Sequence, residues 1–270
     1  MQVVRISLDE VESTSDYVRG IAAQHEGSVV VVSALYQTAG RGQGGNRWES
    51  SRGDNVLASV LFRPIDVPPS RQFALSMAGA LAVREAIIRS LPPTTGMRQS
   101  DVDALCVKWP NDVFYRNRKI SGTLIETTLR SGRLADCVFG VGINVNQVRF
   151  SPDAGRPTSL RIITGGRHNV GAVLDRLTAA LLRRIDQVNN GDYEGIRAEY
   201  LAALYRRNGL HPYYDASGMF LARTFDVEPD GHLVLQDENG NVRRYGFKEV
   251  EFLFRDEDET APTKEEHELK

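Results

Sequence analysis

The sequence predicts an α+β fold: a larger part with antiparallel strands carrying helices on one face, then a small all-β module. Three observations carry this expectation. Residues 28–36 (SVVVVSALY) form a continuous apolar, β-branched run, the pattern of a buried strand. Residues 70–91 place apolar side chains at a spacing near 3.6 and stop at Pro92-Pro93, the pattern of a long helix. Past Asn208-Gly209 the texture changes to short β-rich runs broken by Gly218, Asp230-Gly231 and Asn239-Gly240, the last two being hairpin dipeptides.

The elements follow in order. VVRISL opens as a short strand, and Ser13-Thr-Ser-Asp16 reads as a helix N-terminus with an acid in its first turn. Residues 55–62 are a further strand, 94–103 a polar loop and 104–109 a strand. Residues 119–129 and 134–145 flank Arg130-Ser-Gly-Arg133 and read as a hairpin. Residues 147–168, rich in Pro, Gly, Ser and Arg, read as a loop, and two helices follow at about 170–189 and 192–207. The domain reading is therefore 1–208 for the large part, 209–255 for the β module and 256–270 for a tail.

Length and composition exclude several classes. The 270 residues suffice for one large and one small domain, and 41% hydrophobic with 25% charged residues suits a globular chain. No apolar run is long enough to span a bilayer, and no basic-then-apolar leader opens the chain, so a cytosolic protein is expected. Cys106 and Cys137 sit in apolar runs and read as reduced thiols. The net charge of −2 hides a split: residues 256–270 carry seven acids against two lysines, about −5, leaving about +3 on the body. That tail has too little apolar surface to offset its ordering entropy and reads as disordered. A body near +3 carries no nucleic-acid signature but allows a local basic site for phosphates.

The chemistry-bearing segments are three. The first is Gln37-Thr-Ala-Gly40-Arg41-Gly42-Gln43-Gly44-Gly45-Asn46-Arg47-Trp48, four glycines and two arginines after a buried strand. Glycine lets backbone N–H groups turn toward an anion, and arginine adds charge and a donor fork. Gly40-x-Gly42-x-x-Gly45 matches the dinucleotide fingerprint literally, but that motif must open a helix, and NRWESSRGDN is a poor one. A P-loop needs Lys-Ser/Thr after its last glycine, where Asn46-Arg47 stands. The second segment is Lys108-Trp109-Pro110-Asn111-Asp112 followed by Lys119-Ile-Ser-Gly122-Thr-Leu-Ile-Glu126. Period two puts Lys119, Ser121, Thr123 and Ile125 on one strand face and Ile120, Gly122, Leu124 and Glu126 on the other. Gly122 inside a strand points to a close backbone or ligand approach. Asp112 reads equally as a metal or ribose partner and as a turn residue. The third is Gly140-Val-Gly142-Ile-Asn144-Val-Asn146, where an asparagine amide offers both a donor and an acceptor to a base edge.

Taken in order, these motifs resemble the biotin–protein ligase family over roughly residues 8–147. The resemblance implies a mixed sheet similar to class II synthetase catalytic domains and a C-terminal module similar to a Src-homology-three barrel. It implies ATP-dependent activation of biotin to biotinyl-AMP, with Mg²⁺, and transfer to a lysine of a biotin carboxyl carrier domain. It further implies that Ser13, Thr14, Ser15 and Gln37 hold the biotin end, and that Gly40, Arg41 and Gly42 close over biotin and the adenylate phosphate. Trp48 matches an aromatic that packs on adenine, and Lys119 the lysine that contacts the biotin carboxylate and α-phosphate. Lys119 and Arg41 are the expected catalytic cations. Gln43, Lys108, Asn111, Asp112 and Asn144 fall to the nucleotide side, with no dedicated metal cage.

Two departures stand out. Many members carry arginine where this chain has Gln43 and basic residues at Gly44 and Asn46, so up to three loop charges are missing; Arg47 or Arg52 is expected to replace part of them. The motifs also begin about a dozen residues in, so no DNA-binding domain and no DNA partner is expected. Lipoate–protein ligase and a non-catalytic biotin-adenylate-binding protein are the alternatives, and a homodimer is left open.

Overall fold

The computed structural model describes residues 2–63, 65–91 and 99–254. The acidic segment 256–270 and the Pro92-Pro93 helix stop lie outside the described residues. Seven strands build the main sheet: β1 (Gln2–Val11), β2 (Ser28–Gln37), β3 (Val56–Phe62), β4 (Leu105–Lys108), β5 (Asp112–Tyr115), β6 (Arg118–Arg130) and β7 (Arg133–Ile143). Their order is β1-β2-β3-β7-β6-β5-β4, with β1 and β2 parallel and all other neighbours antiparallel. β2 is apolar from Val29 to Val32 because both of its faces are covered there. Val29 and Val31 join the main core, while Val30 and Val32 pack with Val18 of α1 (Thr14–Gly20) on the opposite face.

The long helices α2 (Phe73–Ile88), α5 (Val170–Asn189) and α6 (Tyr193–Ala202) cover the main-core face. α2 is buried almost all round, since it lies between the sheet and the other two helices. α5 is amphipathic: Val173, Leu177, Leu181, Ile185 and Val188 are buried at helical spacing. Its outer Arg184 grips Glu199 of α6 with two hydrogen bonds of 2.8 and 2.6 Å, and this pairing holds the Glu199 carboxyl below its ordinary range.

Four sequence readings need adjustment. Inside the expected 94–103 loop, Gln99–Asp103 is a short helix, α3, and inside the 147–168 loop Leu160–Thr164 forms α4, capped by Ser159. A single turn carries too little periodicity to be read from apolar spacing. β5 was not expected; its four residues follow a three-residue turn, Trp109 to Asn111, after β4. The last helix ends at Ala202, not 207, because the chain there turns to the sheet edge: Val107 N–H donates to Ala203 and Tyr205 N–H to Val107.

The module past residue 210 has five antiparallel strands, β8 (His211–Asp215), β9 (Gly218–Val227), β10 (Leu233–Asp237), β11 (Val242–Tyr245) and β12 (Glu251–Phe252), in the order β11-β10-β9-β8-β12. The Asp230-Gly231 and Asn239-Gly240 dipeptides make its hairpin turns, with Gly231 at φ 97° and Gly240 at φ 82°. Tyr213, Val227, Leu233 and Leu235 of the module belong to the same buried cluster as the main sheet. The seam is polar as well. Trp109 Nε1 donates to Gly231 O at 2.9 Å, and Arg206 donates to Pro212 O at 3.0 Å and Leu253 O at 2.5 Å. Arg206 is buried, and its guanidinium lies within 6 Å of the Tyr205, Tyr213, Phe252 and Phe254 rings. Arg206→Ala leaves two carbonyls without donors and a gap among aromatics; it is expected to cost about 2–4 kcal/mol and to lower the thermal midpoint by roughly 5–10 °C in a calorimetric scan.

Candidate active site

A strip without side chains runs through the middle of the main sheet. Gly122 of β6 faces Gly142 of β7 directly across the ladder, and Gly140 lies two residues back on the same face. The indole of Trp48 lies in this trough. A Cβ on Gly122 would stand 3.0 Å from the Trp48 ring, and one on Gly142 would collide with it outright. The close approach that Gly122 signalled in the sequence is thus made by Trp48. Its Nε1–H is buried with no acceptor, a donor that only a ligand or water would satisfy. Together with the glycine turn and the ends of β4 to β6, the trough encloses a cavity of about 230 Å³.

One end of the cavity is built by α1. Ser13 is its N-cap, accepting from Asp16 N–H at 3.4 Å. Thr14 donates to Gln37 Oε1 from both its backbone N–H (2.8 Å) and its hydroxyl (2.9 Å). Thr14 and Ser15 hydroxyls each sit 2.8 Å from Ser59 Oγ, a buried triad on β3 and α1. Gln37 therefore has its oxygen occupied, and its Nε2 lies beside Gly40, whose added Cβ would be 3.1 Å away. Thr14 and Gln37 line the cavity, while Ser13 and Ser15 support it from behind.

The opposite end is cationic. Lys119 Nζ donates to Asp112 Oδ2 at 2.6 Å and stands 5.9 Å from the centre of the Trp48 ring. Strict alternation would have put Lys119 on the face away from Gly122. The β5–β6 register slips between Val113 and Phe114, a bulge that brings Lys119 round so that its Nζ would be 3.2 Å from a Cβ on Gly122. The expected face assignment of Lys119 is corrected accordingly. Lys108 also lines the cavity, with its ammonium 4.4 Å from the Phe252 ring centre and 5.6 Å from that of Phe114; burial pulls its pKa below the ordinary lysine value. Asn111 and Asn144 stand behind the wall. Asn111 donates to Ser76 Oγ at 3.3 Å, with its Oδ1 unpartnered, and Asn144 Nδ2 donates to Thr158 O at 3.0 Å. In this arrangement Asn144 ties the 158–160 segment to the sheet rather than lining the cavity.

The glycine turn folds back on itself. Gly42 N–H donates to Asn46 O at 2.7 Å and Trp48 N–H to Gly40 O at 3.0 Å. Arg41 is engaged in an ion-pair network: its Nη2 lies 3.0 Å from Glu126 and 3.1 Å from Asp16, while Arg19 bridges the same two carboxylates at 2.8 Å each. Gln43 and Arg47 line the cavity. Arg52, expected to replace loop charge, instead pairs with Asp9 and Glu10 of β1 and does not line the cavity, because the chain has already turned back toward the sheet edge.

Several residues here went unread in the sequence. Glu126 shares the Gly122 face by simple alternation, so the signal was present, but its partner Arg41 comes from a loop whose path period two does not give. Ser59 was hidden inside a plain apolar strand. Phe247 lines the cavity from the C-terminal module, and no local pattern relates it to residues 37–48. The three ligand-capable side chains that meet elsewhere, Glu228, Asp230 and His232, already surround the Arg244 guanidinium.

Comparison with known proteins agrees with this geometry. The Biotin/lipoate A/B protein ligase family matches over residues 8–144, from the end of β1 through the β7 glycines. The chain is 34% identical to the biotin--[acetyl-CoA-carboxylase] ligase of Mycobacterium tuberculosis, covering 67% of this chain and 61% of that protein. It is 25% identical to the bifunctional ligase/repressor BirA of Bacillus spizizenii, covering 88% and 70% respectively. The chain thus spans under two thirds of the first of these relatives. In three dimensions it is similar to the biotin protein ligase of Aquifex aeolicus solved with biotin and ATP, with a TM-score of 0.73 at 22% identity, over 93% of this chain and 99% of that one. That likeness reproduces the mixed sheet, its helices and the small C-terminal sheet. On the family match, which takes in half of the sequence and every motif of the cavity, the chain belongs to the Biotin/lipoate A/B protein ligase family.

Proposed function

We propose that this protein is a biotin ligase that activates biotin with ATP to biotinyl-AMP and passes the biotinyl group to a lysine of a carrier domain. The observation that carries the reading is the convergence of Lys119, Trp48 and the 40–48 turn on one cavity. The Thr14–Gln37 end offers neutral, fixed hydrogen-bonding groups suited to an uncharged ureido ring. The Lys119 end offers the charge needed where two anions must meet.

In the first step a biotin carboxylate oxygen attacks the α-phosphorus of ATP, and the bond to the β-phosphate oxygen breaks to release pyrophosphate. Lys119, held by Asp112, is the cation this reading gives to the carboxylate and the α-phosphate. Asp112 is a single carboxylate beside the phosphate end, a donor set that fits an ion carried in largely by phosphate oxygens. Bound Mg²⁺ would supply further neutralisation of phosphate charge. In the second step an acceptor lysine amine attacks the acyl carbon, and AMP leaves. The turn packed over the trough keeps water from the mixed anhydride. The partner is a biotin carboxyl carrier domain, and the setting is the cytosol; among the described residues no helix is long and apolar enough to cross a membrane.

Mass spectrometry of a carrier domain incubated with ATP, biotin and the protein tests the reading: a biotinyl mass increment on one lysine is expected, and none would overturn it. Biotin, rather than lipoate, should compete for the cavity in a binding assay. Lys119→Ala is expected to cut kcat/KM for pyrophosphate release by about 100- to 1,000-fold, the cost of one group that stabilises transition-state charge; an unchanged rate would remove Lys119 from the mechanism. Glu126→Gln should act in the opposite sense on binding. It releases Arg41 from a half-exposed pair worth about 0.2–1 kcal/mol, so biotinyl-AMP should bind a few-fold tighter by isothermal titration, and weaker binding would show that Glu126 organises the turn instead.

A further inference from the structure

The C-terminal module reaches the glycine turn. Lys248, in the segment between β11 and β12, donates from Nζ to Gly44 O at 3.4 Å. The two lie in close contact: a Cβ at position 44 would stand 2.7 Å from Nζ and 2.8 Å from Cε of Lys248, so a side chain there would displace the end of the lysine, and Gly44 itself holds φ 67°. Lys248 has the unusual backbone angle too, φ 70°, a left-handed conformation that costs a lysine free energy and persists where the surroundings impose it. The surroundings are specific: Glu249 Oε2 accepts from Gly246 N–H at 2.6 Å, Val250 is buried, and β12 pairs with β8 immediately afterward.

Charge gives the strained lysine a purpose. Arg41 is committed to Glu126 and Asp16, Gln43, Gly44, Gly45 and Asn46 bring no charge, and Arg47 is the one cation the turn brings to the cavity outside an ion pair among the described residues. Lys248 forms no ion pair among the described residues, and neighbouring Phe247 lines the cavity and packs on Trp109 with ring centres 6.1 Å apart. Lys108, Trp109 and Phe247 are common walls of the cavity and of an open recess that Lys248 also lines. The recess that adjoins the cavity thus carries two cations, Lys108 and Lys248, and one acid, Glu251.

The geometry points to Lys248 as a polyphosphate-binding residue: its ammonium receives the β- and γ-phosphates of the nucleotide and then the departing pyrophosphate, adding charge from the second module to the single cation, Arg47, that the turn leaves outside an ion pair. This rests on the ATP-dependent reading above. The test uses the full chain with Lys248→Gly, Lys248→Ala and Lys248→Arg. Lys248→Gly removes the charge and relieves the left-handed backbone, so its thermal midpoint should not fall. For Gly and Ala the KM for ATP and the Kd for pyrophosphate are expected to rise about tenfold, the weight of one charge-assisted contact, with the Kd values for biotin and AMP unchanged. Arginine should restore pyrophosphate binding to within about threefold. Equal pyrophosphate affinity in the parent chain and Lys248→Gly, in a protein that still biotinylates its carrier, overturns the role of Lys248 alone. A parent chain that binds ATP but releases no pyrophosphate with biotin overturns the ligase reading, while the ATP affinities still decide on Lys248. A parent chain that binds no ATP overturns both.

Discussion

Two glycines facing each other in the centre of a buried sheet set the terms for everything around them. Side chains at Gly122 and Gly142 would fill the space that the Trp48 indole now occupies. Because that space is open, the turn carrying Trp48 can lie flat against β6 and β7 instead of standing off in solvent. Once it lies there, Arg41 falls within reach of Glu126, two strand repeats beyond Gly122, and Gly40 tucks against Gln37. The sheet therefore does more than support a loop. Its missing side chains determine where the loop's charge and its indole donor end up. Further along the same strip α1 comes close, where the Ser15 hydroxyl would meet a Cβ added at Gly140.

How charge is distributed follows from this placement. In the cavity, Lys119 is balanced by Asp112, and Arg41 with Arg19 is balanced by Asp16 and Glu126. Each pair is part-exposed, so none is worth much as stabilisation, and none is dear to break. This would suit the proposed exchange of a highly charged nucleotide. Cations held in strong buried pairs would resist exchange, and cations held apart with no counter-charge would repel each other in the empty protein. Half-exposed carboxylates serve as placeholders that an incoming phosphate can displace at small cost. Lys108 departs from the pattern: aromatic faces of Phe252 and Phe114 lie beside its ammonium, and burial opposes its charge, so a phosphate close by would relieve a strain that Asp112 only partly offsets.

Much of this was legible in the sequence, and the limits have physical causes. The strands 28–36 and 55–62, the long helix, the hairpin of β6 and β7 and the Asp-Gly and Asn-Gly turns are local patterns, set by residues that contact near neighbours. The motifs at 37–48 and 108–126 pointed correctly to one place because glycine and lysine in such company have few structural uses. Lys119 shows where reading fails. Its face depends on a one-residue slip between β5 and β6, and β5 was itself too short to be seen. Arg52 fails for a related reason: a charge near a motif in sequence was credited to it in space, when the chain reverses toward β1 within five residues of Trp48. Asn111 and Asn144 are polar in a strand-end pattern that equally fits a backbone tie, and only coordinates distinguish a tie from a ligand contact.

The small module looks like an appendage in the sequence, and its packing argues against that view. Five short strands of this size bury too little to be secure alone, and Tyr213, Leu233 and Leu235 complete a core begun by the main sheet. The seam between them also carries chemistry. Trp109, whose ring packs on Phe247, is anchored by its indole N–H to Gly231 O, so the wall of the cavity is positioned by a turn of the module. Phe252 faces Lys108, and Arg206 binds both ends of the module's chain, at Pro212 and Leu253. A loosened module would then not simply hang free. It would withdraw the Phe247 wall and the aromatic cover of Lys108 from the phosphate end, leaving the Thr14–Gln37 end, built wholly from α1, β2 and β3, intact. The two halves of the cavity thus have separate mechanical foundations, the Thr14–Gln37 half in the sheet and the Lys108 half in the seam, and on the proposed function damage to the seam should reach nucleotide affinity before it reaches the affinity for biotin.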